Sequence, residues 1–168
     1  MSGLQERTVV LIKPDATARG LIGEIMARFE RKGLSVVGLK LVRVDRALAE
    51  KHYAEHADKP HYAHLVDFIC SGPVVVICLE GNGAVGVVRG LVGPTSGLLA
   101  PGGTIRGDYG LSAKRNLVHA PDSLEVAERE LALWFSEGEL LPPGQGTGLA
   151  ATMRDWIYST LERAKPER

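Results

Sequence analysis

The run Thr8-Val9-Val10-Leu11-Ile12 constrains the fold more than any other segment: it is β-branched and aliphatic throughout, then broken at Pro14. Such a run describes a buried strand ending in a loop, which puts Lys13 at the strand's mouth. From Leu21 to Lys32 the apolar residues Leu21, Ile22, Ile25, Met26 and Phe29 recur at helical spacing opposite Glu24, Arg28 and Arg31, and Gly33 supplies a stop. That is an amphipathic helix laid over a sheet.

The alternation continues. Ser35 to Val44 predicts a second strand, Asp45 is placed to cap a helix running to about His56, and Pro60 ends this region. A short helix near Tyr62 to Cys70 precedes a third strand, Val74 to Leu79, and then a helix from about Ala84 to Val92. Gly93 to Gly107 is punctuated by Gly93-Pro94, Pro101-Gly102-Gly103 and Arg106-Gly107 and reads as a long loop, a feature more often functional than idle. Asn116-Leu117-Val118 predicts a short fourth strand ending at His119, and Asp122 with Glu125 forms a D-x-x-E pair that would open a helix to Trp134. Pro142 to Gly148 reads as a linker, and Leu149, Met153, Trp156, Ile157 and Leu161 are spaced as an amphipathic tail helix.

At 168 residues, one domain with a continuous core is expected. Twenty basic residues balance twenty acidic ones, so no global field draws the chain to nucleic acid or a membrane surface, and an anionic partner must be recognised locally. Cys70 and Cys78 are too few and too far apart for a disulfide framework. No leader-like or membrane-spanning apolar stretch is present, so the expected location is cytoplasmic.

A histidine placed between a strand end and a helix start can receive a phosphoryl group, because a helix N-terminus favours an anion. Glu130 lies on a face of the following helix that could turn back to one imidazole nitrogen of His119, leaving the other as a nucleophile. From these residues alone, a histidine that merely ends a strand is the commoner explanation.

The decisive pattern is a series of motifs in order: Lys13-Pro14-Asp15, Arg19-Gly20-Leu21, Gly72-Pro73-Val74, Gly103-Thr104-Ile105-Arg106-Gly107-Asp108 and Arg115-Asn116-Leu117-Val118-His119. Together they resemble nucleoside diphosphate kinases, over about Glu6 to Leu141. The resemblance implies a ferredoxin-like α/β sandwich, with a four-stranded antiparallel sheet and helices packed on one face. It implies a kinase domain at residues 1–141; residues 142–168 are expected to form a linker and a C-terminal extension whose spacing predicts a helix. It also implies a ping-pong transfer of the γ-phosphate of a nucleoside triphosphate, typically ATP, to a diphosphate through a phosphohistidine at His119. By the same resemblance Glu130 orients the histidine, Lys13, Arg89 and Arg106 neutralise phosphates, Thr95 adds a hydroxyl, Asn116 and Lys13 hold the sugar, and Tyr53 positions the phosphate or the histidine. Such a concentration of donors suits phosphoryl transfer, where catalysis is largely charge neutralisation and alignment. Mg²⁺ would arrive bridging the nucleotide's phosphates, with Asp122 at most an outer-sphere contact and no direct protein ligand. The implied partners are nucleoside triphosphates and diphosphates and further copies of the chain, as a hexamer or a tetramer. The alternative is a regulatory nucleotide-binding member with reduced or lost turnover.

Three features depart from the family pattern. His61 stands where a phenylalanine usually stacks on the base, with Leu65 and Ala113 completing the slot. Ala120-Pro121 replaces a glycine-serine step after His119, so no hydroxyl and, at Pro121, no backbone N–H is offered. The loop Gly97 to Gly102 lacks the usual polar residues, and the tail beyond Leu141 is expected to pack on a neighbouring subunit. The H-x-x-E-H pattern of His52-Tyr53-Ala54-Glu55-His56 is more simply explained by solvent-facing histidines on a helix than by a zinc site. Arg106-Gly107-Asp108 belongs to the phosphate loop and not to an adhesion signal.

Overall fold

The computed structural model describes residues 5–147, and the predicted tail helix lies outside them. Strand β1, Gln5–Ile12, occupies an interior place in a four-stranded sheet of order β2-β3-β1-β4. Its neighbours are β3, Pro73–Asn82, and β4, Val118–His119, while β2, Ser35–Arg43, pairs with the far side of β3; all pairings are antiparallel. Both edges of β1 are paired and helices cover both of its faces, which is why it reads as an unbroken apolar run from Val9 to Ile12. Val10 and Ile12 enter one core with α2 (Ile22–Arg31) and α5 (Ala84–Val92), whereas Val9 and Leu11 enter a second core with α3 (Arg46–His52), α4 (Tyr62–Cys70) and α7 (Leu124–Trp134). The helices therefore cover both faces of the sheet, correcting the expectation of one.

Two short helices lie where loops were expected. α1, Pro14–Ala18, begins at the very proline that ends β1, since a proline at the first helical position loses no hydrogen bond and has its φ already set. α6, Ile105–Tyr109, forms inside the glycine-rich segment because Thr104 caps it, its Oγ1 accepting the Gly107 N–H at 3.0 Å. Asp45 caps α3 as predicted, accepting the Leu48 N–H at 2.8 Å. That helix ends at His52, short of His56, and a single 3₁₀ turn at Ala54–His56 follows. At α7 the cap is Ser123 and not Asp122: its Oγ accepts the Val126 N–H at 3.2 Å.

The segment read as a linker is docked. Leu141 N–H and Thr147 N–H donate to the carbonyls of Val37 and Val36 along the outer edge of β2, and the Gly144 N–H donates to Glu80 at 2.9 Å. Glu80 is buried on β3 and also pairs with Arg7 at 2.8 Å. Among the described residues no helix is long and apolar enough to cross a membrane.

Candidate active site

The C-terminal end of β1, the short β4 and the ends of α3 and α4 surround a cleft of about 900 Å³. All the residues proposed from the sequence for the site line it: Lys13, Tyr53, Arg89, Thr95, Arg106, Asn116, His119 and Glu130, with His61, Leu65 and Ala113 at one end. Asp122 and Pro121 also face it. The size suits a nucleotide-sized ligand.

The chain reaches His119 through one strained residue. Leu117 has φ 72°, a left-handed conformation that costs an aliphatic residue energy and persists only where its surroundings fix it. They do so here: its N–H donates to Asp15 Oδ2 at 3.1 Å, its carbonyl accepts the Lys13 N–H at 2.8 Å, and its side chain is fully buried. Arg106 braces the same stretch, donating to the carbonyls of Asn116, Gly93 and Val118 at 3.1, 3.0 and 2.7 Å. Burial, with Arg89 nearby, pushes its pKa down to about 10, so it stays a cation at neutral pH. Arg89 donates to the Ala120 carbonyl at 3.3 Å.

Lys13, projecting from the end of β1, is buried and donates to the Asn116 side-chain carbonyl, while the Asn116 amide donates to the Thr95 carbonyl at 3.0 Å. Burial pulls the Lys13 pKa down to about 8; Asp15 opposes the shift and Arg106 adds to it. Three cations thus crowd one wall, an arrangement that awaits an anion.

His119 and Glu130 meet at 2.7 Å, Nε2 to Oε2. Burial and the positive charges of Lys13, Arg106 and Arg89 push the His119 pKa down to about 3, so the ring is neutral. Burial raises Glu130 to about 7. Where Glu130 is ionised it can only accept, so the imidazole proton lies on Nε2 and the lone pair on Nδ1. Tyr53, at the end of α3, is buried, which raises its phenol pKa.

One neighbour of this pair was missed. The side chain of His52 is 0% exposed, correcting its reading as a solvent-facing histidine. Its ring stands edge-on to His119, with centroids 4.5 Å apart and planes at 84°, and its Nδ1 accepts the Trp134 indole N–H at 3.2 Å. The signal was available in the sequence: Glu130 and Trp134 are four apart on one helix and therefore share a face. His52, His119 and Glu130 bring one nitrogen or oxygen each within 4.8 Å of one another, the only set of this metal-binding type among the described residues. The Nε2 of His119, the Nδ1 of His52 and the Oε2 of Glu130 already serve in the hydrogen bonds above.

A family model described as nucleoside diphosphate kinase matches residues 6–140. A protein of that name from Gloeobacter violaceus is 54% identical over 153 residues, covering 91% of this chain and 99% of the relative. The chain belongs to the nucleoside diphosphate kinase family. Another member, from Pyrococcus furiosus, is 50% identical over 163 residues, or 95% of this chain and 97% of its own length. Among solved structures, the halophilic nucleoside diphosphate kinase of Halobacterium salinarum in complex with CDP superposes with a TM-score of 0.83 at 47% identity, covering 92% of this chain and 99% of that one. A nucleoside diphosphate kinase family protein from Babesia bovis superposes with 0.82 at 44%, covering 91% and 99%. The family's four-stranded antiparallel sheet and kinase motifs are therefore both present, and His61 and Pro121 line the same cleft as the motif residues.

Proposed function

We propose that this enzyme transfers the terminal phosphoryl group of a nucleoside triphosphate to a nucleoside diphosphate in two displacements through His119. The observation that carries this reading is the Glu130 contact at Nε2, which leaves the Nδ1 lone pair for a cleft walled by Lys13, Arg89 and Arg106. In the first step Nδ1 forms a bond to the γ-phosphorus as the bond to the bridging oxygen breaks, and the diphosphate leaves with that electron pair. In the second, a terminal oxygen of an acceptor diphosphate attacks the phosphohistidine and Nδ1 recovers its lone pair. Glu130 holds the Nε2 proton throughout and balances the positive charge that develops on the ring.

The roles proposed within the cleft are those the family resemblance implies, and the placement of the residues supports them. Lys13, Arg89 and Arg106 neutralise the phosphates, with Thr95 as a further donor; Lys13 and Asn116 hold the sugar hydroxyls; Tyr53 packs at the reacting end; His61, Leu65 and Ala113 receive the base. A Mg²⁺ carried in on the nucleotide would be held on the protein's side through water by Asp122, which also lines the cleft. Bound there, the metal would offset charge on the phosphates. Homo-oligomerisation, as hexamer or tetramer, is supported by Leu98 and Leu99, 72% and 81% exposed on the loop after α5. Residues 1–141 would form the catalytic unit, working in the cytoplasm.

The test is incubation with γ-labelled ATP and Mg²⁺, followed by GDP, with His119→Ala in parallel. An acid-labile, base-stable phosphoprotein in the parent only, discharged by GDP, is the expected result. Label without discharge would favour the regulatory alternative, and nucleotide binding without label would show that Pro121 and His61 accompany loss of chemistry.

A further inference from the structure

Trp134 has no atom in the chemistry proposed above, yet its indole N–H ends beside the Glu130 carboxylate, on His52 Nδ1. An indole N–H can donate and never accept, so Nδ1 of His52 must present a lone pair. His52 is kept neutral, chiefly by burial and then by His119, with a pKa pushed down to about 3. A neutral imidazole has one proton, and it therefore sits on Nε2, an atom that is buried and without a partner among the described residues.

The consequence concerns Glu130. His52 Nδ1 lies 3.9 Å from Glu130 Oε1, while His119 Nε2 lies 2.7 Å from Oε2. Were the His52 proton on Nδ1, a small ring movement would make it a second donor to the carboxylate, and two imidazoles would compete for one base. The unpartnered Nε2–H is the cost of preventing this, since a buried donor without an acceptor is unfavourable by itself. The other tautomer would satisfy His52 better; only the Trp134 bond weighs against it.

We propose that Trp134 is a positioning residue that locks the tautomer of His52 and so reserves the Glu130 carboxylate for His119. The inference rests on the phosphohistidine reading. The other charged groups facing Glu130 are Asp122 in the turn before α7, Arg129 on α7 and Glu55 in the 3₁₀ turn. Arg129 and Glu55 are paired with each other at 2.6 Å. After His119, Ala120-Pro121 brings neither a side-chain donor nor a Pro121 N–H, so the donors able to rival His119 at the carboxylate are the Tyr53 phenol, which also faces Glu130, and a misprotonated His52; Trp134 acts on the second. A carboxylate with one partner is the stronger base for the Nε2 proton, and base strength enters the rate through that proton.

The experiment replaces Trp134 by phenylalanine and, in a second protein, by 3-benzothienylalanine, which keeps the shape of the indole and lacks the N–H. Two readouts are taken on the full chain: the His52 tautomer by ¹⁵N NMR, and the single-turnover rate of phosphorylation by Mg·ATP against pH. The parent should show the Nε2–H tautomer at His52. Both variants should show Nδ1–H, an acid limb displaced to lower pH by about one unit as Glu130 gains a donor, and a plateau rate lowered roughly three- to tenfold. In a His52→Phe background, which has no proton to misplace, replacing Trp134 should move the limb no further. An unchanged His52 tautomer, an unmoved limb in the benzothienyl protein, or an equal further shift in the His52→Phe background would each overturn the proposal. Failure of the parent to form a phosphoenzyme would instead overturn the functional reading on which it stands.

Discussion

Leu117 and Asp15 are joined by a single hydrogen bond, main-chain N–H to carboxylate oxygen at 3.1 Å, and that bond holds the residue of positive φ two places before His119. The strain at Leu117 therefore has an identifiable counterweight. Asp15→Ala removes the acceptor and leaves a buried N–H unpaired, which is expected to cost about 1–3 kcal/mol in urea unfolding. Asp15→Asn keeps an acceptor oxygen and should recover most of that loss. Both lose the negative charge that supports protonated Lys13, so both should weaken nucleotide binding above neutral pH. Equal stability of Asp15→Ala and the parent would mean that the Leu117 conformation is held by packing alone.

The pH dependence of kcat/KM follows from two free-enzyme groups with opposite requirements. Below the Glu130 pKa of about 7 the carboxyl carries a proton and donates it to Nε2, which drives the ring proton onto Nδ1 and blocks the nucleophile. Above the Lys13 pKa of about 8 a cation of the cleft wall is lost. The profile should be a narrow bell, rising through about 7 and falling through about 8, with no limb from His119, whose pKa lies far lower. Glu130→Gln should abolish the acid limb and lower the maximum; an acid limb that survives in Glu130→Gln belongs to another group.

Much of the site was legible because its residues sit where local patterns change. Lys13 follows a strand that a proline ends, and His119 ends one that a capped helix follows, so element boundaries drew attention to both, although only the ordered motifs raised His119 above a histidine that merely ends a strand. The ordered motifs supplied the remaining cations, and all of them line the one cleft. What escaped was set by tertiary contact. Ser123 beat Asp122 to the helix cap, a choice among adjacent polar residues that depends on backbone angles. The H-x-x-E-H pattern suggests solvent-facing histidines on a helix, whereas the burial of His52 against Trp134 depends on how α3 meets α7. The docking of residues 141–147 against β2 and Glu80 was hidden because proline and glycine signal a turn without saying where it rests.

Arg106 shows why lysine is no substitute for arginine here. Its guanidinium serves three carbonyls, on Gly93, Asn116 and Val118, in directions fixed by the planar fork. A lysine ammonium retains the charge but cannot reach all three at once. Arg106→Lys should lower stability by about 1–3 kcal/mol through the unpaired carbonyls and cut the phosphorylation rate more than tenfold as the Asn116–His119 stretch loosens. Thermal unfolding and single-turnover kinetics measure the two effects separately. A variant that loses rate without stability would show Arg106 acting on the phosphate alone.

At the cleft's other end, His61 immediately precedes α4, with His56 6.0 Å away, ring centre to ring centre, and Leu65 one turn on. An imidazole offers less area to a nucleobase than a phenyl ring and prefers water, so a base received in this slot would be held loosely and with little regard to its identity. His61→Phe adds apolar stacking surface, and an aromatic pair of this kind contributes about 0.5–1.5 kcal/mol. Dissociation constants for ADP, GDP and CDP should therefore all fall, by roughly two- to tenfold, while the rate of phosphoryl transfer from bound ATP stays within a factor of about two because the reacting end is untouched. Purine diphosphates, with the larger ring, should gain more than CDP. Equal or weaker binding by His61→Phe would instead mean that the imidazole hydrogen-bonds the base and that this member has exchanged stacking for a polar contact.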